Sequence, residues 1–181
     1  MLDMAGDGAV YSIGHSTRSF EELAAVLRRY DIEALADIRQ FPRSRTNPQF
    51  NRDTFGPKLG SIGIHYAIVP QLGGRRGKSK TAASTSNAAW QNASFRNYAN
   101  YASGEVFQQG LSELLKLAED YRSAMMCAEA LWWRCHRRIV ADYLLARKIR
   151  VIHIFNEEKS AEASLTPFAT VNPDGTVSYD D

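Results

Sequence analysis

The chain has 181 residues, of which 44% are hydrophobic and 23% charged, with a formal net charge of +2 at pH 7. This length and composition predict one globular domain that buries about 70% of the surface of its unfolded chain. No apolar run approaches the roughly 20 residues of a membrane helix, and neither a secretory signal nor a disulfide framework is visible, so we expect a reduced, cytoplasmic protein without a membrane partner.

The first half of the chain alternates between strands and helices. "AVYSIGHST" predicts a buried strand ending at Ile13, and "SFEELAAVLRRY" predicts a helix with Ser19 as N-cap and Glu22 completing a capping box. "IEALADI" is the second strand, and a long loop, "FPRSRTNPQFNR", follows it. A short helix, "DTFGPKLGSIG", then leads to a third strand, "IHYAIV".

The second half continues this alternation. The segment 77–94 is long for a structureless loop, which indicates either a functional lid or partial disorder. Two helices, "SFRNYANYAS" and "EVFQQGLSELLKLAEDY", precede a fourth strand, "SAMMC", a helix, "RCHRRIVADYLLARK", and a fifth strand, "RVIHIF". Asp174-Gly175 predicts a C-terminal β-hairpin.

These elements predict a single-domain α/β fold with a parallel or mostly parallel sheet flanked by helices, of the Rossmann-like or flavodoxin-like kind. Its core covers about residues 10–155 and its tail 156–181. Ligands of such sheets bind beyond the carboxyl ends of the strands. "GHST", "RQFPRSR", "PQLGGRR" and "CAEALWWRCHRR" follow the first four strands. Because their arginines are clustered, we expect an anionic ligand at this edge of the sheet.

The two cysteines lie in "CAEALWWRCHRR". Cys135 falls at or near the first turn of a predicted helix, where the helix dipole and the arginines Arg134, Arg137 and Arg138 favour a nucleophilic thiolate. Cys127, eight residues earlier, can lie close to it; alternatively, one or both cysteines are inert core residues. A phosphate-binding cysteine loop has five residues between Cys and Arg, whereas six separate Cys127 from Arg134.

Other polar residues of these loops have alternative interpretations. Glu129 is expected to be an ionised partner of a guanidinium, or a general acid or base. His15 is a candidate general base. Asp37 is better explained by a salt bridge to Arg39, and His65 and His153 by burial in strands. A metal site from Cys127, Cys135, His136 and His15 lacks a zinc-ligand spacing, so no metal is predicted.

Two further features of the loops suggest ligand contacts. Trp132 and Trp133 are candidates for stacking on a flat ring, or else they cover the core and the loop. "LGGRR" offers Gly73 and Gly74 for close backbone approach and Arg75 and Arg76 for anion contact, without a nucleotide-binding glycine signature.

The motifs "SIGHST", "ADIRQFPRSRTNPQFNR", "LGG" and "CAEALWWRCHRRIVADYLLARKIRVIHI" together resemble the domain-of-unknown-function family 488 (DUF488), over about residues 11–154. The resemblance implies a bacterial-type cytosolic α/β protein and carries no settled activity. The positions that match the family motifs are His15, Ser16, Asp37, Arg39, Pro42, Arg43, Ser44, Asn47, Phe50, Asn51, Gly73, Cys127, Glu129, Cys135, His136 and Arg137.

The sequence favours a small enzyme with an arginine- and cysteine-lined pocket for a phosphorylated, nucleotide or nucleic-acid ligand. A non-catalytic nucleotide or nucleic-acid sensor is the alternative, and a metal-dependent hydrolase a weaker one; the residues identify no cofactor. We expect Arg39→Gln or Arg137→Gln to abolish ligand binding with the melting temperature largely intact. The candidate catalytic residues are Cys135, Cys127, Glu129 and His15. The candidate ligand-binding residues are Ser16, Asp37, Arg39, Arg43, Ser44, Arg45, Asn47, Asn51, Gly73, Gly74, Trp132, Trp133, Arg134, His136 and Arg137.

Overall fold

The computed structural model, which describes residues 2–83 and 86–180, contains a six-stranded sheet. Its strands are β1 (Ala9–Gly14), β2 (Ala34–Asp37), β3 (His65–Ile68), β4 (Ser123–Cys127), β5 (Arg150–Ile154) and β6 (Ser160–Glu162). They lie in the order β3-β2-β4-β1-β5-β6, with β6 antiparallel to β5 and the other pairs parallel. The predicted α/β fold is confirmed, but β4 lies between β2 and β1, which distinguishes this order from those of Rossmann and flavodoxin sheets.

Helices cover both faces of the sheet. The helices are α1 (Phe20–Arg29), α2 (Arg52–Ser61), α3 (Ala93–Ala102), α4 (Glu105–Asp120) and α5 (Arg137–Ala146). Apolar residues of α1 and α2 pack with Tyr11 and Ile13 of β1 on one face. Residues of α3, α4 and α5 pack with Val10 and Met125 on the other face. Because side chains alternate along a strand, buried central strands supply both cores.

The helix starts are only partly as predicted. Ser19 and Glu22 form the expected capping box at the start of α1. The helix α5 was predicted from Arg134, which is wrong: it begins at Arg137, and Trp132–Arg134 form a separate 3-10 turn. Cys135 therefore lies just before α5 rather than inside its first turn.

The C-terminal region is part of the core. The predicted hairpin is confirmed as β7 (Thr170–Val171) and β8 (Val177–Ser178), while β6 was not predicted. The side chain of Tyr179 is fully buried, and its hydroxyl donates to Asp142 Oδ2 at 2.8 Å. The segment 77–94 docks here: Trp90 is buried, and its ring lies 5.2 Å from that of Tyr179. Ser84 and Thr85 of this segment lie outside the described residues.

Two further findings concern strand histidines and membranes. His153 is buried as predicted, but His65, the first residue of the edge strand β3, is exposed and packs on Tyr121 with ring centroids 4.1 Å apart. Within the described residues, no helix has the length and apolar character to cross a membrane.

Candidate functional site

The loops after the first four strands meet at one edge of the sheet. Gly14 pairs with Cys127, and Asp37 pairs with Met126, so these strands end at nearly the same level. A cavity of about 430 Å³ opens there. It is lined by His15, Arg39, Gln40, Phe41, Arg43, Ser44, Gly74, Arg75, Ser94, Phe95, Tyr98, Cys127, Ala128, Glu129, Arg134, Cys135 and His136.

The two cysteines lie side by side at this cavity. Cys127 ends β4, and the loop 128–134 returns so that the Sγ atoms of Cys127 and Cys135 are 2.7 Å apart. Both thiols are free, with exposed fractions of only 3% for Cys127 and 6% for Cys135. The proximity expected from their spacing is therefore present.

The side chains of Arg137 and His136 contact this sulfur pair. Arg137 is 1% exposed, and its Nε donates to Cys127 Sγ at 3.0 Å. The Nδ1 of His136 lies 3.4 Å from Cys135 Sγ, and its Nε2 lies 3.1 Å from the carbonyl oxygen of Ile38. Because a carbonyl only accepts, Nε2 carries a proton, and Nδ1 is the nitrogen that faces the sulfur.

These contacts make the two thiols unequal. Burial raises the pKa of Cys135, but the hydrogen bond to Cys127 and the nearby His136 and Arg137 outweigh it, so this pKa lies well below its usual value. Burial and the hydrogen bond to Cys135 raise the pKa of Cys127 well above its usual value. Of the two thiols, Cys135 is therefore the one that deprotonates more readily.

Arg39 is held in place by Asp37, as the salt-bridge interpretation predicts. Arg39 Nη2 lies 2.7 Å from Asp37 Oδ2, and its Nε donates to Oδ1 at 2.9 Å. The hydroxyl of Tyr66 donates to the same carboxylate. Arg39 lines the cavity, but Asp37 already neutralises its charge, so it adds little to the net charge of the cavity.

His15 is buried next to Arg39. Its Nδ1 lies 2.8 Å from the carbonyl oxygen of Ser16 and must donate, so Nε2 accepts from Arg39 Nη1 at 3.4 Å. Burial lowers the pKa of His15 to about 4, which leaves the ring neutral at pH 7. The ring also stacks on Phe50 with centroids 4.3 Å apart. Both nitrogens are thus engaged by the protein.

Three exposed arginines surround the cavity mouth. Arg43 lies 3.6 Å from Asp53 in an exposed ion pair, while Arg75 and Arg134 have no ion-pair partner within residues 2–83 and 86–180. Glu129 is also exposed at the cavity, but its Oε1 accepts from Leu131 N, and it pairs with none of the described arginines, contrary to expectation. The arginines therefore dominate the charge of the mouth.

Several candidate ligand-binding residues do not line the cavity. Asn51 Oδ1 accepts from Ser44 N and Ser44 Oγ accepts from Asn47 N, so these residues order the loop after β2. A Cβ on Gly73 would lie 2.6 Å from the Gln40 backbone, so this glycine serves close packing. The candidates that the structure places outside the lining are Ser16, Asp37, Arg45, Asn47, Asn51, Gly73, Trp132, Trp133 and Arg137.

The tryptophans pack away from the cavity. Trp132 stacks on His153 at 4.3 Å with parallel rings, and Trp133 is 42% exposed near Phe155. The aromatic side chains that do line the cavity are Phe41, Phe95 and Tyr98, none of which the sequence analysis selected. Phe41, 70% exposed between Gln40 and Pro42, had one available signal: a large apolar residue inside an arginine-rich loop.

The metal-ligand set considered from the sequence does not converge. Among the described residues, no group of three or more histidine, cysteine, aspartate or glutamate side chains is placed to hold a metal ion.

Comparison with known families returns one match. The model of the family described as domain of unknown function DUF488 matches residues 19–144, well over half of the chain, and confirms the family named from the motifs. The matched range includes Cys127, Cys135 and His136 but begins after His15. Neither the curated proteins nor the solved structures yield a match.

Proposed function

The chain belongs to the DUF488 family, and from the geometry of its site we propose that it is a small enzyme whose Cys135 thiolate acts on an anionic ligand. The observation that carries this proposal is the contact of Cys135 Sγ with His136 Nδ1 at 3.4 Å, on the wall of an arginine-rimmed cavity. A nucleophilic thiol needs a neighbouring base or cation, and Ile38 orients this imidazole for that task.

The arginine and aromatic side chains at the cavity mouth indicate the class of ligand. Arg43, Arg75 and Arg134 would attract a phosphate or carboxylate group, since a guanidinium matches the geometry of both. Phe41 and Phe95 offer flat apolar faces for a ring. A phosphorylated compound with a ring, such as a nucleotide, combines both features. Thiolate chemistry is compatible with the reducing cytoplasm that the sequence predicts.

In the proposed reaction, Cys135 attacks an electrophilic atom of the bound ligand. His136 balances the thiolate charge and is placed to pass a proton from Nδ1 to the leaving group. Arg137 holds Cys127 beside the nucleophile and acts as a positioning residue, because it does not line the cavity. Arg75 joins the proposed ligand-binding residues, whereas Arg45, Arg137 and the two tryptophans no longer belong to them.

A pair of alkylating agents tests charge and nucleophile together. Iodoacetate is anionic and iodoacetamide neutral, so the ratio of their rates at Cys135 reports the potential at the cavity. We expect alkylation with an apparent pKa well below the usual ~8.5 of a thiol. Each of Arg75→Gln and Arg134→Gln should lower the iodoacetate-to-iodoacetamide ratio by about threefold.

Arg45→Gln is the matched control, because Arg45 is exposed in the same loop as Arg43 but does not line the cavity. Its rate ratio should equal that of the wild type. The proposal fails if both thiols react only at alkaline pH, or if Arg75→Gln and Arg134→Gln both retain the wild-type ratio.

A non-catalytic sensor of the same ligand class is the second candidate. It is favoured by the small exposed fractions of the two sulfurs, which are typical of thiols that serve packing. Its test is the Cys135→Ser variant: protection of the folded chain by AMP against thermal unfolding would stay unchanged, and the wild-type thiol would show no enhanced reactivity.

A further inference from the structure

Cys127 and Cys135 are the two cysteines of the chain, and the structure brings them together. Their Sγ atoms are 2.7 Å apart, compared with about 2.05 Å in a disulfide bond. Both also line the cavity, so a small reagent can reach them from solvent. A nucleophilic cysteine needs no second thiol for its own attack, and in the proposed chemistry at Cys135 the Cys127 sulfur neither forms nor breaks a bond.

We propose that Cys127 and Cys135 form a thiol–disulfide redox couple, with Cys135 as the attacking thiol and Cys127 as the resolving thiol. The co-reactant is a low-molecular-weight disulfide, for which oxidised glutathione serves as the probe. This inference goes beyond the proposed function and does not require an anionic ligand in the cavity.

The exchange proceeds in two balanced steps. The Cys135 thiolate attacks one sulfur of the small disulfide, whose S–S bond breaks as a mixed disulfide forms and one small thiolate leaves. Cys127 Sγ then attacks Cys135 Sγ, gives its proton to the departed thiolate and expels the second small thiolate. The protein dithiol is oxidised by two electrons, and the small disulfide is reduced to one thiol and one thiolate, which takes its proton from solvent.

The surroundings assign the two roles. Cys135 is next to His136, and the amide N of Arg137 donates to its Sγ at 3.5 Å, so its charge is stabilised. Cys127 Sγ lies 2.7 Å from the Cys135 sulfur and 3.7 Å from the carbonyl oxygen of Glu129, which can accept its S–H. An attacking thiol with stabilised charge beside a buried protonated one is the arrangement that exchange chemistry requires.

Arg137 makes the disulfide easy to reduce. Its buried guanidinium contacts the Cys127 sulfur at 3.0 Å, and oxidation replaces a charged dithiol by a neutral disulfide, which leaves the cation without a counter-charge. We therefore expect the couple to be poised within the range of glutathione buffers rather than locked as a structural disulfide.

The test uses the full chain, without any added anionic ligand, in a series of reduced-to-oxidised glutathione ratios. Samples are quenched with acid, alkylated with N-ethylmaleimide and weighed as intact protein. The wild type should convert to a species that carries no maleimide, no glutathione, and two hydrogen atoms fewer. Cys127→Ser should accumulate a glutathione adduct at Cys135, and Cys135→Ser should react at least about tenfold more slowly.

Circular dichroism of each variant establishes that it is folded, and Cys127→Ala replaces Cys127→Ser if the serine variant unfolds. Wild-type protein whose two thiols stay free at every ratio would overturn the inference. So would a wild-type glutathione adduct that never resolves. A disulfide that forms while the iodoacetate preference is absent would refute the proposed anionic substrate and leave the couple standing.

Discussion

Arg137 and Cys127 are joined by a hydrogen bond from the guanidinium Nε to the sulfur at 3.0 Å, inside the protein. The remaining guanidinium nitrogens donate to Ser12 Oγ at 2.9 Å and to the carbonyl oxygen of Glu129. One side chain thus ties β1, the end of β4 and the site loop to the start of α5. Its cost of burial is offset only while these acceptors remain in place.

Arg137→Gln should therefore destabilise the fold, contrary to the unchanged melting temperature that the sequence alone suggested. Loss of the buried cation leaves Ser12, Cys127 and Glu129 without their donor, and we expect the free energy of unfolding to fall by about 3 kcal/mol. Urea unfolding measures this change. Arg134→Gln, at an exposed position on the cavity mouth, should stay within about 0.5 kcal/mol of the wild type. Equal stability of the two variants would contradict the assigned role.

Two buried histidines should make stability depend on pH in the acid range. Burial lowers the pKa of His15 to about 4 and that of His153 to about 3, whereas an unfolded histidine titrates near 6.5. Below pH 6.5 the unfolded chain binds more protons than the folded one, so stability falls as pH decreases. Between pH 7.5 and 5 each histidine should remove about 2 kcal/mol, nearly all of it below pH 7.

Urea unfolding at pH 7.5 and pH 5 tests this dependence. His153→Gln should reduce the difference between the two pH values, while His65→Gln is the control, because His65 is exposed on the edge strand. The explanation fails if His153→Gln loses stability on acidification as steeply as the wild type does.

The sequence predicted the parts of the fold that depend on local patterns. Alternating strand and helix periodicity gave the layers, and the Ser19 capping box was read correctly because all its partners lie within one turn. The strand order and the strand β6 depend on pairings between distant segments. A single sequence does not specify which strands pair or in which register. The position of β3 at the edge of the sheet, which exposes His65, could not be predicted for the same reason.

The sequence placed the candidate residues at the carboxyl edge of the sheet, where the structure has a cavity, but the orientation of single side chains was not predictable. In sequence, nothing separates Arg39 and Arg137 from Arg75 and Arg134. In the structure, Asp37 binds Arg39 and Ser12 binds Arg137, both in the interior. Arg75 and Arg134 lie at the cavity mouth instead. The same holds for the aromatic residues: Trp132 packs on His153, whereas the side chain of Phe41 is exposed.

Phe41, rather than either tryptophan, should recognise a ring. AMP and inorganic phosphate are compared as agents that protect Cys135 from iodoacetamide. Phe41→Ala should weaken protection by AMP at least about fivefold, since one ring stacking on a base contributes about 1–3 kcal/mol, and leave protection by phosphate unchanged.

Trp132→Ala and Trp133→Ala are the matched controls. Trp132→Ala should cost about 2 kcal/mol of stability through the lost His153 stack, and neither variant should alter protection by AMP. Loss of AMP protection in a tryptophan variant that keeps its stability would contradict this prediction and place the ring-binding site at the loop 128–134.

Gly14 is the point where the end of β1 touches the site loop, and alanine there should disturb both. A Cβ on Gly14 would overlap the carbonyl oxygen of Glu129, the same atom that accepts from Arg137 Nη2. The loop cannot retreat freely, because Ser16 N donates to the Ala128 carbonyl at 3.0 Å. We expect Gly14→Ala to destabilise the protein by about 3 kcal/mol, and any folded fraction to show a Cys135 alkylation pKa closer to that of a free thiol.

Gly60→Ala provides the control, since a Cβ at this exposed position of α2 meets no described atom within 4 Å and alanine favours a helix by about 1 kcal/mol. An unchanged Cys135 pH profile in folded Gly14→Ala would mean that the Arg137 contact with the Glu129 carbonyl does not set the reactivity of the thiol pair.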